Sequence, residues 1–355
     1  MLMQKLVRPW ETIGLSVPVE GRLRTREALR LTNTDWSVEK VSMITAPKIV
    51  YVLDDNQKPM IDADNNKIVD RTLSENSDLF NVSNPQMCMT MRVDRDEDQV
   101  ITNKSYLGTV GKGYRVVQNI EFAEFFDAAL GEDAACITAV GTLGRYGARV
   151  FMIASLPEML EILPNEPIER HIMLTTTHDG SGPVEALFLA WDPKNNTMVH
   201  APGGRVRIRH TKNAQKRITT APQVLHANTQ YWDRVKRAFA YMAKRDVSDQ
   251  RVRAFLGGLF PDIVKKDEEG NEIERRTSVQ AQKARDHIQE IFEDSDRALP
   301  KTDWGLYNSV AVFVDHERHI AKSQAHNKIS RWEISVFGSG CDLRDGAFRW
   351  LSRNR

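Results

Sequence analysis

The chain has 355 residues, 41% hydrophobic and 27% charged, and its 49 basic and 48 acidic side chains leave a formal net charge of +1. That composition belongs to a globular protein with a sizeable core and excludes a low-complexity chain, while the length allows two domains or one elaborated domain. Cys88, Cys136 and Cys341 are odd in number and far apart, which excludes a disulfide framework and a four-thiolate zinc site and points to a reducing cytoplasm.

Residues 1–9 lack the apolar core of a signal peptide, and no later run approaches the ~18 apolar residues of a membrane helix, so a soluble cytoplasmic protein without a membrane partner is expected. Residues 25–32 read as a short helix capped by Thr25, and 36–41 alternate as a strand. From Lys48 to about Ser83, Asp54-Asp55-Asn56 and Asp64-Asn65-Asn66-Lys67 predict hairpin turns. Asp62, Asp64, Asn66 and Asp70 imitate a calcium loop, but Lys67 stands where the loop needs glycine and Leu73 where it needs glutamate, so plain turns are expected. Residues 87–93 form a candidate strand.

The stretch from Tyr106 to Asn119 centres on Gly111-Lys112-Gly113. It reads as a tight strand connection with glycine at positive φ, or as the same turn with its N–H groups, Lys112 and Arg115 against a phosphate. Walker spacing is absent. Asn119 is the expected cap of a helix over 120–130 that buries Phe122, Phe125, Phe126 and Ala129. Two strands, 134–143 and 148–156, flank Gly144-Arg145-Tyr146-Gly147.

A strand over 170–176 runs into Thr177-His178-Asp179-Gly180-Ser181-Gly182-Pro183. Imidazole, carboxylate and hydroxyl are close in sequence here, yet a catalytic triad needs them to converge from separate positions, and a nucleophile elbow needs Gly-x-Ser-x-Gly. Turn chemistry, with the loop touching a ligand or phosphate, is the preferred reading; His171 and His200 complete no metal motif, and no metal or cofactor is expected. Val184 to Trp191 is apolar and reads as a buried strand.

The strongest charge asymmetry follows. From Gly203 to Asn213, Val206 and Ile208 alternate with Arg205, Arg207 and Arg209, as in a strand with one apolar face and three guanidiniums on the other. His210, Lys212, Asn213, Lys216 and Arg217 continue it, and between residues 203 and 253 thirteen basic side chains face only Asp233, Asp246 and Asp249. A polyanion is the natural partner, and nucleic acid the commonest one. Trp232, Val235, Phe239 and Met242 mark the buried face of the next helix. Its Arg234, Lys236, Arg237, Lys244 and Arg245 could extend the basic surface, with Tyr231 or Trp232 as a stacking aromatic. Residues 265–272 read as a loop or hairpin tip, a helix from Ser278 buries Ile288, Ile291 and Phe292, and a helix over 304–318 packs Leu306, Val310 and Phe313. The whole predicts an α+β fold, an antiparallel sheet with hairpins packed by flanking helices. Residues 1–220 form a mixed core and 221–355 a mostly helical region.

Seven pieces in order carry a family resemblance: Trp36-Ser37-Val38-Glu39; Val110 to Asn119; Thr177 to Gly182; Ile208-Arg209-His210-Thr211-Lys212-Asn213; Trp304-Gly305-Leu306-Tyr307-Asn308; Asp315-His316-Glu317-Arg318; and Phe337-Gly338-Ser339-Gly340. The chain resembles the phage/plasmid-like family known as domain of unknown function nine-three-two. The resemblance implies a mobile-element origin, a cytoplasmic setting and no established chemistry. Trp191 to Thr197 departs from the Arg-Val-Val-Cys-x-Asn-Thr-like run of the pattern, and residues 48–83 read as an insertion. Architecture and context also invite comparison with phage single-strand annealing proteins.

The favoured expectation is a nucleic-acid-binding homo-oligomer that binds single-stranded DNA and assists recombination, annealing or replication. Its contacts would be Arg205, Arg207, Arg209, His210, Lys212, Asn213, Lys112, Arg115, Lys216 and Arg217. One alternative is a nucleotide- or nucleic-acid-processing enzyme in which His178, Asp179, Ser181 and His210 meet; another is a host-takeover or counter-defence protein whose basic patch meets an acidic host protein.

Overall fold

A computed structural model describes residues 8–11, 16–18, 24–44, 51–68, 83–130, 136–211, 221–319 and 331–353. Lys212, Asn213, Lys216 and Arg217 lie outside the described residues. Every strand pairing is antiparallel, and the fold is α+β.

The main sheet holds β1 (Ser16–Pro18), β5 (Cys136–Leu143), β6 (Arg149–Ser155), β7 (Leu160–Glu161), β8 (Pro167–Thr177), β9 (Val184–Asp192), β10 (Thr197–Val199) and β11 (Arg205–Ile208). Its spatial order is β1-β5-β6-β8-β9, with β10 and β11 sharing the far side of β9 and β7 added to β8. A second sheet is the meander β2 (Ser37–Ile44), β3 (Ser83–Arg95) and β4 (Ile101–Gly111), and β12 (Ile263–Lys266) with β13 (Glu272–Arg276) forms a separate hairpin. The hairpin is the polar tip the sequence predicts.

Side chains of a strand alternate between faces, and here both faces of the main sheet are covered. Val150, Met152, Ala154, Ile172, Leu174, Ala186 and Phe188 join the larger core cluster, under α2 (Asn119–Leu130) and α3 (Ala221–Ala243). Phe151, Ile153, Met173, Leu187, Leu189 and Trp191 join a smaller one with Trp10 and with Trp332 and Val336 of α7 (Arg331–Phe337). Double coverage explains why β9 is an unbroken buried run rather than an alternating one.

The remaining helices are α1 (Thr25–Leu31), α4 (Asp249–Leu259), α5 (Val279–Glu293), α6 (Asp303–Val312) and α8 (Ser339–Arg353), and a π-helical turn, Phe313–Glu317, continues α6. The larger cluster runs from Ala28 to Leu351. Every residue of α6 is buried, not one face of it, because α3, α5 and α8 all pack against it.

Two predicted caps are spent differently. Thr25 is the first residue of α1 and its hydroxyl donates to Asp127 Oδ2 at 2.6 Å and Ala123 O at 2.9 Å, stitching α1 to α2. The Asn119 amide donates to Thr34 O and Trp36 O, and its oxygen accepts from His178, so it joins three segments instead of capping α2. The Gly111-Lys112-Gly113 turn is not a strand connection. β4 ends at Gly111, residues 114–118 run on as coil into α2, and neither glycine is at positive φ.

Candidate functional site

The alternation of β11 decides where its charges go. Val206 and Ile208 pack into the larger cluster, under α3, so Arg205 and Arg207 project to the opposite face. Tyr231 and Trp232 of α3 are buried. The basic strand and the basic helix therefore do not form one surface, and neither aromatic is open for base stacking.

On the side to which Arg205 and Arg207 project, a cleft of about 640 Å³ opens beside the end of α7. It is lined by Arg205, Arg207, Arg209, His210 and Thr211, by Tyr114, by residues 180–183, and by Arg149, Glu185 and Phe337. The three stretches singled out in the sequence thus converge. Register sets the spacing, because Arg149 pairs with Thr177, Thr175 with Glu185 and Glu185 with Arg207 across four adjacent strands.

The loop after β8 is rigidly built. Thr177 Oγ1 donates to Gly182 O at 2.6 Å and accepts from Gly182 N at 3.0 Å, and Ser181 N donates to Asp179 Oδ1 at 2.9 Å. Gly108 of β4 lies against it, where a Cβ would stand 2.5 Å from Asp179 Cα, so only glycine permits this approach of the two sheets. Tyr114 closes the other flank, donating to Thr177 O at 2.6 Å and stacking on His210 with centroids 4.6 Å apart. Burial, then Asp179, raises the Tyr114 pKa far above its ordinary value, so the phenol stays protonated.

The arginines are unequal. Arg205 Nη2 donates to Val336 O at 2.5 Å and to Cys341 Sγ at 2.9 Å, which turns its head toward the C-terminal end of α7. Arg207 Nε donates to Glu185 Oε1 at 2.5 Å, a pair in which the arginine is largely exposed and the carboxylate nearly enclosed. Arg209 is exposed and forms no ion pair among the described residues. Arg149 is partly enclosed, with its guanidinium carbon 4.1 Å from the centre of the Phe337 ring and no carboxylate in ion-pair contact among the described residues. Burial pulls its pKa below the ordinary arginine value, and Glu185 and Asp179 only partly offset this. Four guanidiniums and one lining carboxylate make the cleft strongly positive.

Lys112 and Arg115 face a neighbouring cleft of about 490 Å³ with Lys40, Gly113 and Tyr114. Lys40 Nζ donates to Lys112 O and Tyr114 O, and Arg115 Nη2 approaches Glu121 at 3.8 Å. A Cβ at Gly113 would meet nothing within 4 Å, so packing does not account for this glycine.

His178 is turned away from the loop it opens. Its Nε2 donates to Asn119 Oδ1 at 2.8 Å, Trp36 meets it edge-on, and burial pushes its pKa down to about 3. His210 contacts Arg115 O through Nδ1 at 3.1 Å and Thr176 Oγ1 through Nε2 at 3.5 Å, and burial lowers its pKa. No hydrogen bond links His178 or His210 to Asp179 or Ser181 among the described residues. Both rings are neutral, held groups.

Sequence reasoning missed Arg149 and Glu185. Arg149 is the one charge of β6, at its start, and Glu185 sits near the start of β9, whose other charge, Asp192, is at its far end. A charge at the edge of an otherwise apolar, buried strand is the signal by which either could be found.

No helix among the described residues is long and apolar enough to cross a membrane. No curated protein and no solved structure matches the chain. A family model described as Domain of unknown function (DUF932) matches residues 106–334, and the chain belongs to that family. The match spans the whole lining of the cleft except Phe337.

Proposed function

We propose that this member of a family of unknown function binds nucleic acid, single-stranded DNA in the first instance, through backbone phosphates held in the cleft of Arg149, Arg207 and Arg209. The carrying observation is the concentration of four guanidiniums around one carboxylate in about 640 Å³, with Arg149 kept half-desolvated on Phe337 and given no carboxylate of its own. A planar fork at low local dielectric gains most from an anion that enters from outside. Lys112 and the sterically unneeded Gly113, in the adjoining cleft, extend the track by one further cation and an accessible backbone. Recognition is then electrostatic and largely indifferent to sequence. A role in annealing, recombination or replication is the use proposed for such binding.

The test is fluorescence anisotropy of a labelled oligonucleotide across a salt series, with annealing of complementary strands as the second readout. Wild type is expected to bind with a steep negative salt slope, and Arg149→Met or Arg209→Ala to flatten the slope by about one phosphate contact each. Affinity indifferent to salt, or unchanged in both variants, would overturn the proposal. Mononucleotides bound as tightly as long strands would do the same and redirect it to a nucleotide ligand.

A further inference from the structure

Behind Arg205 lies a second group of side chains that the cleft does not use. His200 stands in the connection from β10 to β11, and Cys341 and Asp345 are one turn apart on α8, an i,i+4 spacing that puts both on one face. His200 Nε2 is 3.4 Å from Cys341 Sγ and 3.1 Å from Asp345 Oδ1, and the three ligand atoms all lie within 4.8 Å of one another. His200 and Cys341 are buried and Asp345 is half-buried. The His200 backbone is clamped, its N–H donating to Tyr307 Oη at 2.8 Å and its carbonyl accepting from the same hydroxyl at 2.5 Å.

Hydrogen bonding accounts for only part of this arrangement. A single ring nitrogen carries at most one hydrogen, so Nε2 cannot serve a thiol and a carboxylate together. Apart from that shared His200 nitrogen at 3.1 Å, the buried Asp345 Oδ1 has no hydrogen-bond partner. An enclosed carboxylate oxygen facing an imidazole nitrogen and a sulfur is the kind of group that a cation satisfies.

The geometry points to a divalent transition-metal site, with Cys341 Sγ, His200 Nε2 and Asp345 Oδ1 as ligands to Zn²⁺ or an ion of similar softness. Bond lengths of about 2.0–2.3 Å in a tetrahedron place ligand atoms roughly 3.3–3.6 Å apart. The two separations from His200 Nε2, 3.4 and 3.1 Å, lie close to this, and the Cys341–Asp345 pair, within 4.8 Å, would close slightly onto the ion. Thiolate and carboxylate cancel the charge of a divalent ion, so a guanidinium beside the sulfur is tolerated. Arg205 Nη2, 2.9 Å from Sγ, and Arg349 Nη2, 3.2 Å from Asp345 Oδ2, are the outer donors that orient such ligands. The mixed sulfur, nitrogen and oxygen set favours Zn²⁺ over Mg²⁺ or Ca²⁺. The ion would fix the head of Arg205 and with it one wall of the cleft, yet the assignment does not depend on nucleic-acid binding.

The test uses the full chain, stripped with a chelator and titrated with CoCl2 and then ZnCl2. One Co²⁺ per chain is expected, with a sulfur-to-cobalt charge-transfer band that Zn²⁺ abolishes. Cys341→Ser should lose that band, and Asp345→Asn should weaken binding by at least the 10–100-fold that loss of an outer donor costs, about a minimum for a ligand. Cys88→Ala should leave both unchanged. Because Cys341 is buried, thermal melts of each variant check folding, and the wild-type spectrum stands without any variant. Absence of the band in folded wild type, or its persistence in folded Cys341→Ser, would overturn the assignment. A thiol that is rapidly alkylated with Co²⁺ in excess would overturn it too.

Discussion

Arg344 and Arg149 are both drawn out of water, in opposite ways. Arg344 is enclosed on α8, and its Nη1 reaches both oxygens of Asp315, at 2.8 and 2.9 Å, while Nη2 donates to Ser335 O at 2.7 Å. Burial works against its charge, but Asp315 more than reverses that and its pKa is raised. Arg149 has burial without a contacting carboxylate, and its pKa is lowered. A guanidinium neutralised within the fold is architecture; one left with unanswered charge at the wall of a cleft is what the proposed binding of an anion from outside calls for.

The largest way to break that comparison is Arg344→Ala, which leaves Asp315 buried and unpaired. It should cost about 3–5 kcal/mol in a urea titration; a variant as stable as wild type would end the architectural reading. Next is pH. His178 is neutral in the fold with a pKa of about 3, whereas an unfolded histidine titrates near 6.5. The unfolded chain therefore binds the extra proton between these values, so its stabilising contribution is complete above pH ~6.5 and is lost as pH falls toward 3. The slope is up to about 1.4 kcal/mol per pH unit, and His178→Asn should flatten it when urea midpoints at pH 7 and 5 are compared. Arg149→Met should do the reverse of Arg344→Ala, moving stability by less than about 1 kcal/mol while lowering oligonucleotide affinity about tenfold. The smallest effect carries the most informative sign. Glu185→Gln removes the one lining carboxylate and frees the largely exposed Arg207 from it, and affinity should rise roughly two- to fivefold, the equivalent of ~0.4–1 kcal/mol.

Much of the molecule was legible in the sequence because its cues are local. The period-two run of β11, the apolar face of Trp232, Val235, Phe239 and Met242, and the start of α5 at Ser278, whose hydroxyl accepts from Ala281 N at 3.1 Å, all follow from nearest-neighbour geometry. What stayed hidden depends on partners far along the chain. Asn119 reads as a cap until His178 and Trp36 arrive beside it. The glycines around Lys112 read as a hairpin until β4 is seen to exit into coil. That Arg205 and Arg207 face away from α3 is decided by which side of the sheet α3 covers, and alternation alone does not say. His200, Cys341 and Asp345 are 141 and 4 residues apart in turn, a spacing that no short motif can announce.

The π-helical turn at Phe313–Glu317 has a consequence for heredity. Its wide winding, marked by the 2.7 Å bond from Arg318 N to Phe313 O, holds one residue more than an α-helix would over the same rise. Loss of a single codon before Asp315 would tighten the winding and rotate the side chains after it by about 100°, carrying Asp315 away from Ser335 on α7 and Arg344 on α8. Genes descended from this one are therefore expected to gain and lose codons freely in the exposed turn between β12 and β13, and to keep their reading length through Asp315-His316-Glu317-Arg318 unchanged.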